Sequence, residues 1–460
     1  MKIKFVIFIL ISCISMTACL PDTSGIAPPS DRLIYPIGAV TTASDKYLLV
    51  ANSNFDLNYN AGTLVAISLE ELDRIIDQGD WSEDWLSPDG RYMYVPETKL
   101  IDPNNTVRLD AFASDLKLTP KPKQNRALIP IRGGAERHIL VVDIDETAPS
   151  GEVLTCGKGS DLHCDSAHRV TSNDSVTMPI EPYEVTSLDY TWTVPDSTGA
   201  ETTFHSTLGF ATHLYTGSVS MFMIENEQGK LDAQLLDVVN HVVNEASGIA
   251  SNPENKEIYV SGRENAAQYL AVLQVLTGGS GSTSSNNLFF GVVDKVSYFN
   301  ELLGGTDTRG VAVSSAGKDA LVVSRTPEAL LRIDTESRKL IDMATVGTDP
   351  SVVSIYESED GNAYAFVLCF KSKQVFIVEP SMMRVVVRST GSGPQAIAFD
   401  KHRKYAYIAN FRESTITVLH AEPPFAQVRI GDTNDQFKNS QFKNAQLMIG
   451  KPRLPEDHNN

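Results

Sequence analysis

Two cysteines, Cys156 and Cys164, stand eight residues apart in a polar stretch that also holds Lys158, Asp161 and His163. Paired zinc thiolates are typically two to four residues apart and need further ligands, so this spacing suits metal poorly. A disulfide closing a short loop is the expectation, with a metal site using His163 and His168 as the alternative. Other local chemistry is sparse. The nine histidines are scattered without ligand spacing. Arg132-Gly133-Gly134 has the makings of a turn, not of a phosphate loop. Asp143-Ile144-Asp145 lacks the further oxygens and the glycine of a calcium loop. No zinc-protease helix, haem-attachment motif, P-loop, dinucleotide glycine pattern or Gly-x-Ser-x-Gly elbow is present. Neither a metal nor a cofactor is expected, and any catalytic group would have to be assembled from distant parts of the chain.

The N-terminus carries a different kind of chemistry. Lys2 and Lys4 precede an apolar run over residues 5–16. A run of about twelve residues is too short to span a bilayer, which takes roughly twenty, and reads as a signal peptide. Met16-Thr17-Ala18-Cys19 resembles the lipobox of bacterial lipoproteins, in which the cysteine is acylated and becomes the new N-terminus; Met stands where that pattern usually has Leu. Leu10-Ile11-Ser12-Cys13 fits as well, but leaves a very short apolar run before it. The resemblance implies a signal over 1–18, lipid on Cys19 and a flexible tether over 19–31. Leu20, where Asp would favour inner-membrane retention, points by analogy to the outer membrane. Export also exposes the chain to oxidising conditions, which favours the Cys156–Cys164 disulfide. Loss of Lys2 and Lys4 with the signal takes the formal charge from −18 to −20. So acidic a surface disfavours nucleic acid and anionic lipid headgroups as general partners.

The elements that must position any site come from a repeat. Residues 310–313, 319–325 and 329–334 form three short β-rich runs; 351–355, 362–368 and 374–378 repeat them, and 395–399, 404–410 and 415–419 repeat them again. The units start 41 and 44 residues apart, and a fourth run follows in 339–346 and 384–388. The pattern continues towards the N-terminus in units beginning near Gly248, Pro182, Ala111 and Ile37. Four strands in about 40 residues is the period of a propeller blade. The expectation is an all-β, seven-bladed β-propeller over 32–431, with four antiparallel strands per blade and a polar C-terminal tail over 432–460. Two ways of closing the ring stay open: residues 32–35 at the N-terminus, or 427–430 within the seventh blade. Insertions fall at 69–106, with a short helix expected over 70–77 and the aromatic residues Trp81, Trp85, Tyr92 and Tyr94; at 145–180, with the cysteine pair; and at 277–287.

Tyr407-Ile408-Ala409-Asn410 followed by Thr415–Val418 resembles the Tyr-Val-Thr-Asn repeat of bacterial surface-layer and periplasmic propellers, and Leu49–Asn52 with Thr63–Ala66 shares the frame. The resemblance implies the fold. Its relatives include binding proteins, scaffolds, lactonase-like enzymes and cofactor-bearing dehydrogenases, so it leaves function open. In a four-stranded meander the turn after the second strand lies on the same face as the links between blades. That places Asn52, Arg132, Thr212, Gly262, Arg325, Phe370 and Asn410 around one channel mouth, with Arg263, Lys371 and Arg412 beside them. A partly cationic rim on so acidic a chain suits a small anionic ligand; alternatively these arginines pair with Glu264, Glu328 and Glu413. Asn52, Arg132, Arg263, Arg325 and Asn410 are the candidate ligand-binding residues, and Trp81 and Trp85 mark a candidate partner-binding loop. The leading expectation is a non-catalytic binding or scaffold module facing an envelope protein or a small anion. The alternative is a lactonase-like hydrolase or cofactor-dependent dehydrogenase working at the channel mouth.

Overall fold

The computed structural model describes residues 25–133, 137–195, 200–226, 228–263, 269–277, 288–298, 307–430 and 442–453. Cys13 and Cys19 of the signal region lie outside them. No described helix is long and apolar enough to cross a membrane.

The second and third strands of each repeat are short apolar runs buried almost throughout, as in Tyr47–Asn52, Gly62–Ser68, Arg126–Ile131 and Ser218–Glu225. Continuous burial, rather than alternation, is what a strand shows when both faces of its sheet are covered. Here each sheet is packed between its neighbours in a ring. Seven sheets result, each an antiparallel meander at heart, and the chain is a seven-bladed β-propeller. The innermost strands run from Pro36 in blade 1, Lys117 in blade 2, Pro182 in blade 3, Ala246 in blade 4, Thr308 in blade 5, Pro350 in blade 6 and Pro394 in blade 7. Apolar clusters fill the gaps between adjacent sheets. Leu321, Val323 and Leu330 of blade 5 meet Val353, Ala365 and Val367 of blade 6, for example.

In six blades the inner strand begins with a slip in register: Pro36/Gly38, Pro182/Val185, Ala246/Ile249, Thr308/Val311, Pro350/Val352 and Pro394/Ala396. A bulge re-aims the side chain it carries. The repeated slip brings a ring of second-position residues to one end of the channel, Tyr183, Ser247, Arg309, Ser351 and Gln395 among them.

Closure differs from both expected routes. The fourth strand of blade 7 is Gln446–Ile449, which pairs with Thr415–His420 through Ile416↔Ile449 and Thr417↔Met448. The segment expected as an irregular polar tail thus completes the sheet. Gln427 adds an isolated bridge to Leu419, while residues 32–35 form no strand. A fifth strand, Tyr92–Val95 from the blade-1 insertion, joins the outer edge in parallel. Arg453 then ties the ends together: one guanidinium nitrogen donates to the carbonyl of Leu33 at 2.9 Å and the other to buried Glu97.

The insertion holds the expected helix, Leu69–Gln78, capped by the Ser68 hydroxyl accepting from the Glu71 amide and ended by Gly79 in the left-handed region. Cys156 and Cys164 are joined as a disulfide, and both are buried against blades 1 and 2. Cys369 is a buried free thiol, pushed up to about 12 by burial.

Candidate functional site at the channel mouth

The turns after the second strands, the bulged inner strands and the links between blades converge on one mouth of the channel. A cavity of about 170 Å³ opens there, lined by Tyr183, Glu184, Ser247, Arg263, Arg309, Arg325, Asp349, Ser351, Phe370 and Gln395. Three guanidinium groups therefore face one small space. Arg263 and Arg325 belong to the expected rim. Arg309 does not, because it lies on the inner strand Thr308–Val313, where the bulge turns it into the channel. The blade-4 inner strand passes close beneath it: a Cβ on Gly248 would meet the Arg309 carbonyl at 2.3 Å, so only glycine fits there.

The three arginines are unequally paired. Arg325 forms an ion pair with Asp349, Nε to carboxylate oxygen 2.8 Å, while its Nε–H donates to the Pro350 carbonyl at 3.1 Å. Arg309 Nη2 donates to Asp307 at 2.8 Å, but its Nε and Nη1, both buried, have no acceptor among the described residues. Arg263 lies over the Tyr183 ring, 4.5 Å from its centroid, and its buried Nε also has no acceptor among the described residues. Burial and the nearby charges of Arg263 and Arg325 lower Arg309 from its ordinary value to about 10. Arg132 stands further out, paired with Glu181 at 3.4 Å and 5.7 Å from the Tyr183 ring. The acidic partners are thus Asp349, Asp307 and Glu181 rather than Glu328 and Glu413; Glu264 lies outside the described residues.

Beneath the arginines the channel narrows around two carboxylates. Asp115 accepts from the Val185 amide at 3.1 Å and pairs with Lys117 at 3.6 Å. Glu184 accepts from the Ile249 amide at 3.3 Å. Burial, reinforced by the Asp115 charge and partly offset by Lys117 and Arg263, pushes Glu184 up to about 8. The site therefore joins donors with no acceptor among the described residues to a carboxyl that holds its proton near neutrality.

The remaining candidates stand elsewhere. Asn52 is buried and turned into its own blade, donating to Thr63 at 2.8 Å and to the Arg32 carbonyl at 3.1 Å while accepting from the Ile34 amide. Asn410 likewise donates to Thr415 and Thr417 at 3.0 and 2.9 Å and is fully buried. The asparagine–threonine frame is thus a bracket between the second and third strands, and neither asparagine lines the mouth. Trp81 and Trp85 meet edge to face at 6.3 Å, half-buried against the core shared by blades 1 and 7, where they pack the insertion down. Among the described residues no group of three His, Cys, Asp or Glu is placed to hold a metal ion.

The rest of the mouth is aromatic. Phe370 lines the arginine cavity, and its ring lies 6.3 Å from Phe411. Phe411 in turn meets Tyr35 at 5.1 Å and Phe55 at 5.5 Å, and Phe55 meets Phe112 at 6.3 Å.

No protein-family model matches the chain, and no curated protein matches it. Among solved structures, hydrazine synthase of Kuenenia stuttgartiensis superposes with a TM-score of 0.53 at 10% identity, over 88% of this chain and 99% of that one. A periplasmic gluconolactonase of Pseudomonas aeruginosa superposes with a TM-score of 0.44 at 13% identity, over 78% of this chain and 86% of that one. At such identities the likeness is one of fold alone.

Proposed function

We propose that this chain is an envelope lipoprotein, anchored through Cys19, whose propeller is a non-catalytic module that binds a small anion at the arginine-lined mouth. The observation behind the binding role is that Arg263, Arg309 and Arg325 line one cavity while buried N–H groups on Arg263 and Arg309 have no acceptor among the described residues. A buried donor left unmade costs about 1–3 kcal/mol, more on a charged group. A carboxylate or phosphate oxygen placed among these groups offsets that cost with charge-assisted hydrogen bonds. The rest of the chain is strongly acidic, so a local cationic pocket selects for anions against the overall field.

Calorimetric titration of acetate, sulfate and inorganic phosphate into the full chain tests this. A Cys19→Ala background avoids detergent. The expected result is saturable binding of at least one anion, lost in the Arg263→Gln/Arg309→Gln double variant. A chain that takes up none of them at millimolar concentration does not have this function. The anchor is tested separately by fractionation: wild-type protein should sediment with membranes and Cys19→Ala should be released.

A second reading, catalysis at the same mouth, has one observation in its favour. Glu184 keeps its proton near neutral pH, able to give it to a leaving alkoxide while water's proton passes to solvent, beside guanidinium groups able to steady a developing oxyanion in the hydrolysis of a small lactone. Turnover of lactones that disappears in Glu184→Gln would support this reading over simple binding.

A further inference from the structure

The channel mouth is chemically divided. Arg132, Arg263, Arg309 and Arg325 occupy the arc formed by blades 2, 4 and 5, with Tyr183 of blade 3 among them. The opposite arc holds Phe370 of blade 6, Phe411 of blade 7, and Tyr35, Phe55 and Phe112 on either side of blade 1. The two arcs meet at Phe370, which lines the arginine cavity and carries the Arg412 guanidinium 4.8 Å from its ring. From there, centroid steps of 6.3 and 5.5 Å lead through Phe411 to Phe55. The strip ends in the open: Phe55 is 57% exposed, as is Leu57 in the same turn. Behind that exposed end Phe112, Phe370 and Phe411 are half-buried and Tyr35 is buried.

The charge around the cavity is also counted out. Asp307 pairs with Arg309 and Asp349 with Arg325, at 2.8 Å in both cases, Lys371 lies 3.8 Å from the same Asp349, and among the described residues no carboxylate pairs with Arg263. Cations therefore outnumber the carboxylates paired with them around the cavity, and a planar guanidinium fork suits the planar carboxylate.

We infer that the anion held at this mouth is the carboxylate of an amphipathic molecule, whose aryl or acyl body lies along the aromatic arc from Phe370 to Phe55. This rests on the anion-binding reading above and specifies its ligand class. The arginine cavity holds the head group with room to spare, and the apolar wall open to the body beyond it is the one that begins at Phe370. A body of this kind removes its own apolar surface and that of Phe411 and Phe55 from water, which is worth about fourfold in affinity per buried methylene.

The test is a titration series on the full chain carrying Cys19→Ala. The probes are acetate, octanoate, 3-phenylpropionate, the neutral 3-phenylpropanamide and inorganic phosphate. Octanoate or 3-phenylpropionate should bind about tenfold or more tightly than acetate, and the amide should not bind measurably. The tighter of the two acids tells whether the body is acyl or aryl. Phe55→Ser, at a position exposed enough to leave the fold intact, should reduce the advantage over acetate several-fold while acetate binding stays the same; Phe411→Ser should do the same more strongly. If acetate, octanoate and 3-phenylpropionate bind alike, or phosphate binds more tightly than any of them, the ligand class is wrong while anion binding stands. If no probe binds, or the Arg263→Gln/Arg309→Gln variant binds as wild type does, both readings fail.

Discussion

Arg309→Gln removes a guanidinium that costs the empty protein stability and gives the occupied protein affinity, so the two observables should move in opposite directions. The depression of Arg309 from its ordinary value to about 10 disfavours its charged form by on the order of 3 kcal/mol at about 1.4 kcal/mol per unit. Its side chain is only 12% exposed, so solvent screening does not erase this. Part of the gain is returned, because Asp307 loses its partner. A net stabilisation of about 1–2 kcal/mol remains for the ligand-free variant. In a chain of this length that raises the melting temperature by about 1–3 °C. With anion present, a charge-assisted hydrogen bond worth about 1.5–3 kcal/mol is gone, which is about a ten- to hundredfold loss of affinity. Differential scanning fluorimetry with and without the anion reads both effects at once. A variant that melts lower when empty, or keeps its full anion-induced shift, would mean that Arg309 is a structural residue and that its orphaned N–H groups are not a binding device.

Other perturbations test the rest of the architecture. Removing the disulfide by Cys156→Ser/Cys164→Ser should cost about 2–3 kcal/mol, read as a lower denaturant midpoint, and non-reducing peptide mapping should find the two cysteines in one linked peptide. The raised carboxyl of Glu184 makes the folded state the tighter proton binder, so this group's contribution to stability falls as pH rises from about 4.5, its ordinary value, to about 8. Glu184→Gln should flatten melting temperature against pH across that window, and wild-type anion binding should weaken above it as the new negative charge faces Arg263. Arg453→Ala leaves Glu97 buried without its cation and should destabilise the fold by about 3 kcal/mol in a urea titration.

Much of the ring was legible because each blade repeats one physical requirement. Two strands buried on both faces must be nearly continuous apolar runs, and such runs recur from residue 47 to residue 419. Closure was illegible for the complementary reason: Gln446–Ile449 is four residues long, stands apart from the repeat spacing, and reads as part of a polar tail. The site was half visible. Arg132, Arg263 and Arg325 follow second strands, and topology alone puts that position near the mouth. Asn52 and Asn410 occupy the same position, yet their short amides reach Thr63 and Thr415 more easily than the channel, a choice only side-chain geometry decides. Arg309 lies on an inner strand, off the turns that topology marks. Aligning the inner strands instead shows Ile37, Tyr183, Ser247, Arg309, Ser351 and Gln395 in one column, and a lone arginine in a channel-lining column is a signal readable without coordinates.

The parallel strand Tyr92–Val95 has a consequence for the order of events in synthesis. Its partner, Gln446–Ile449, lies near the other end of the chain. An exported chain emerges from its N-terminal end, so Tyr92–Val95 arrives well before that partner. For that interval Met93 and Val95, both buried in the finished disc, have an open sheet edge beside them. The blade-1 insertion therefore cannot mature with its own blade: it is an early piece waiting for a late one. A product ended before Gln446 would carry an unpaired edge at Tyr92–Val95 that marks it for aggregation or proteolysis.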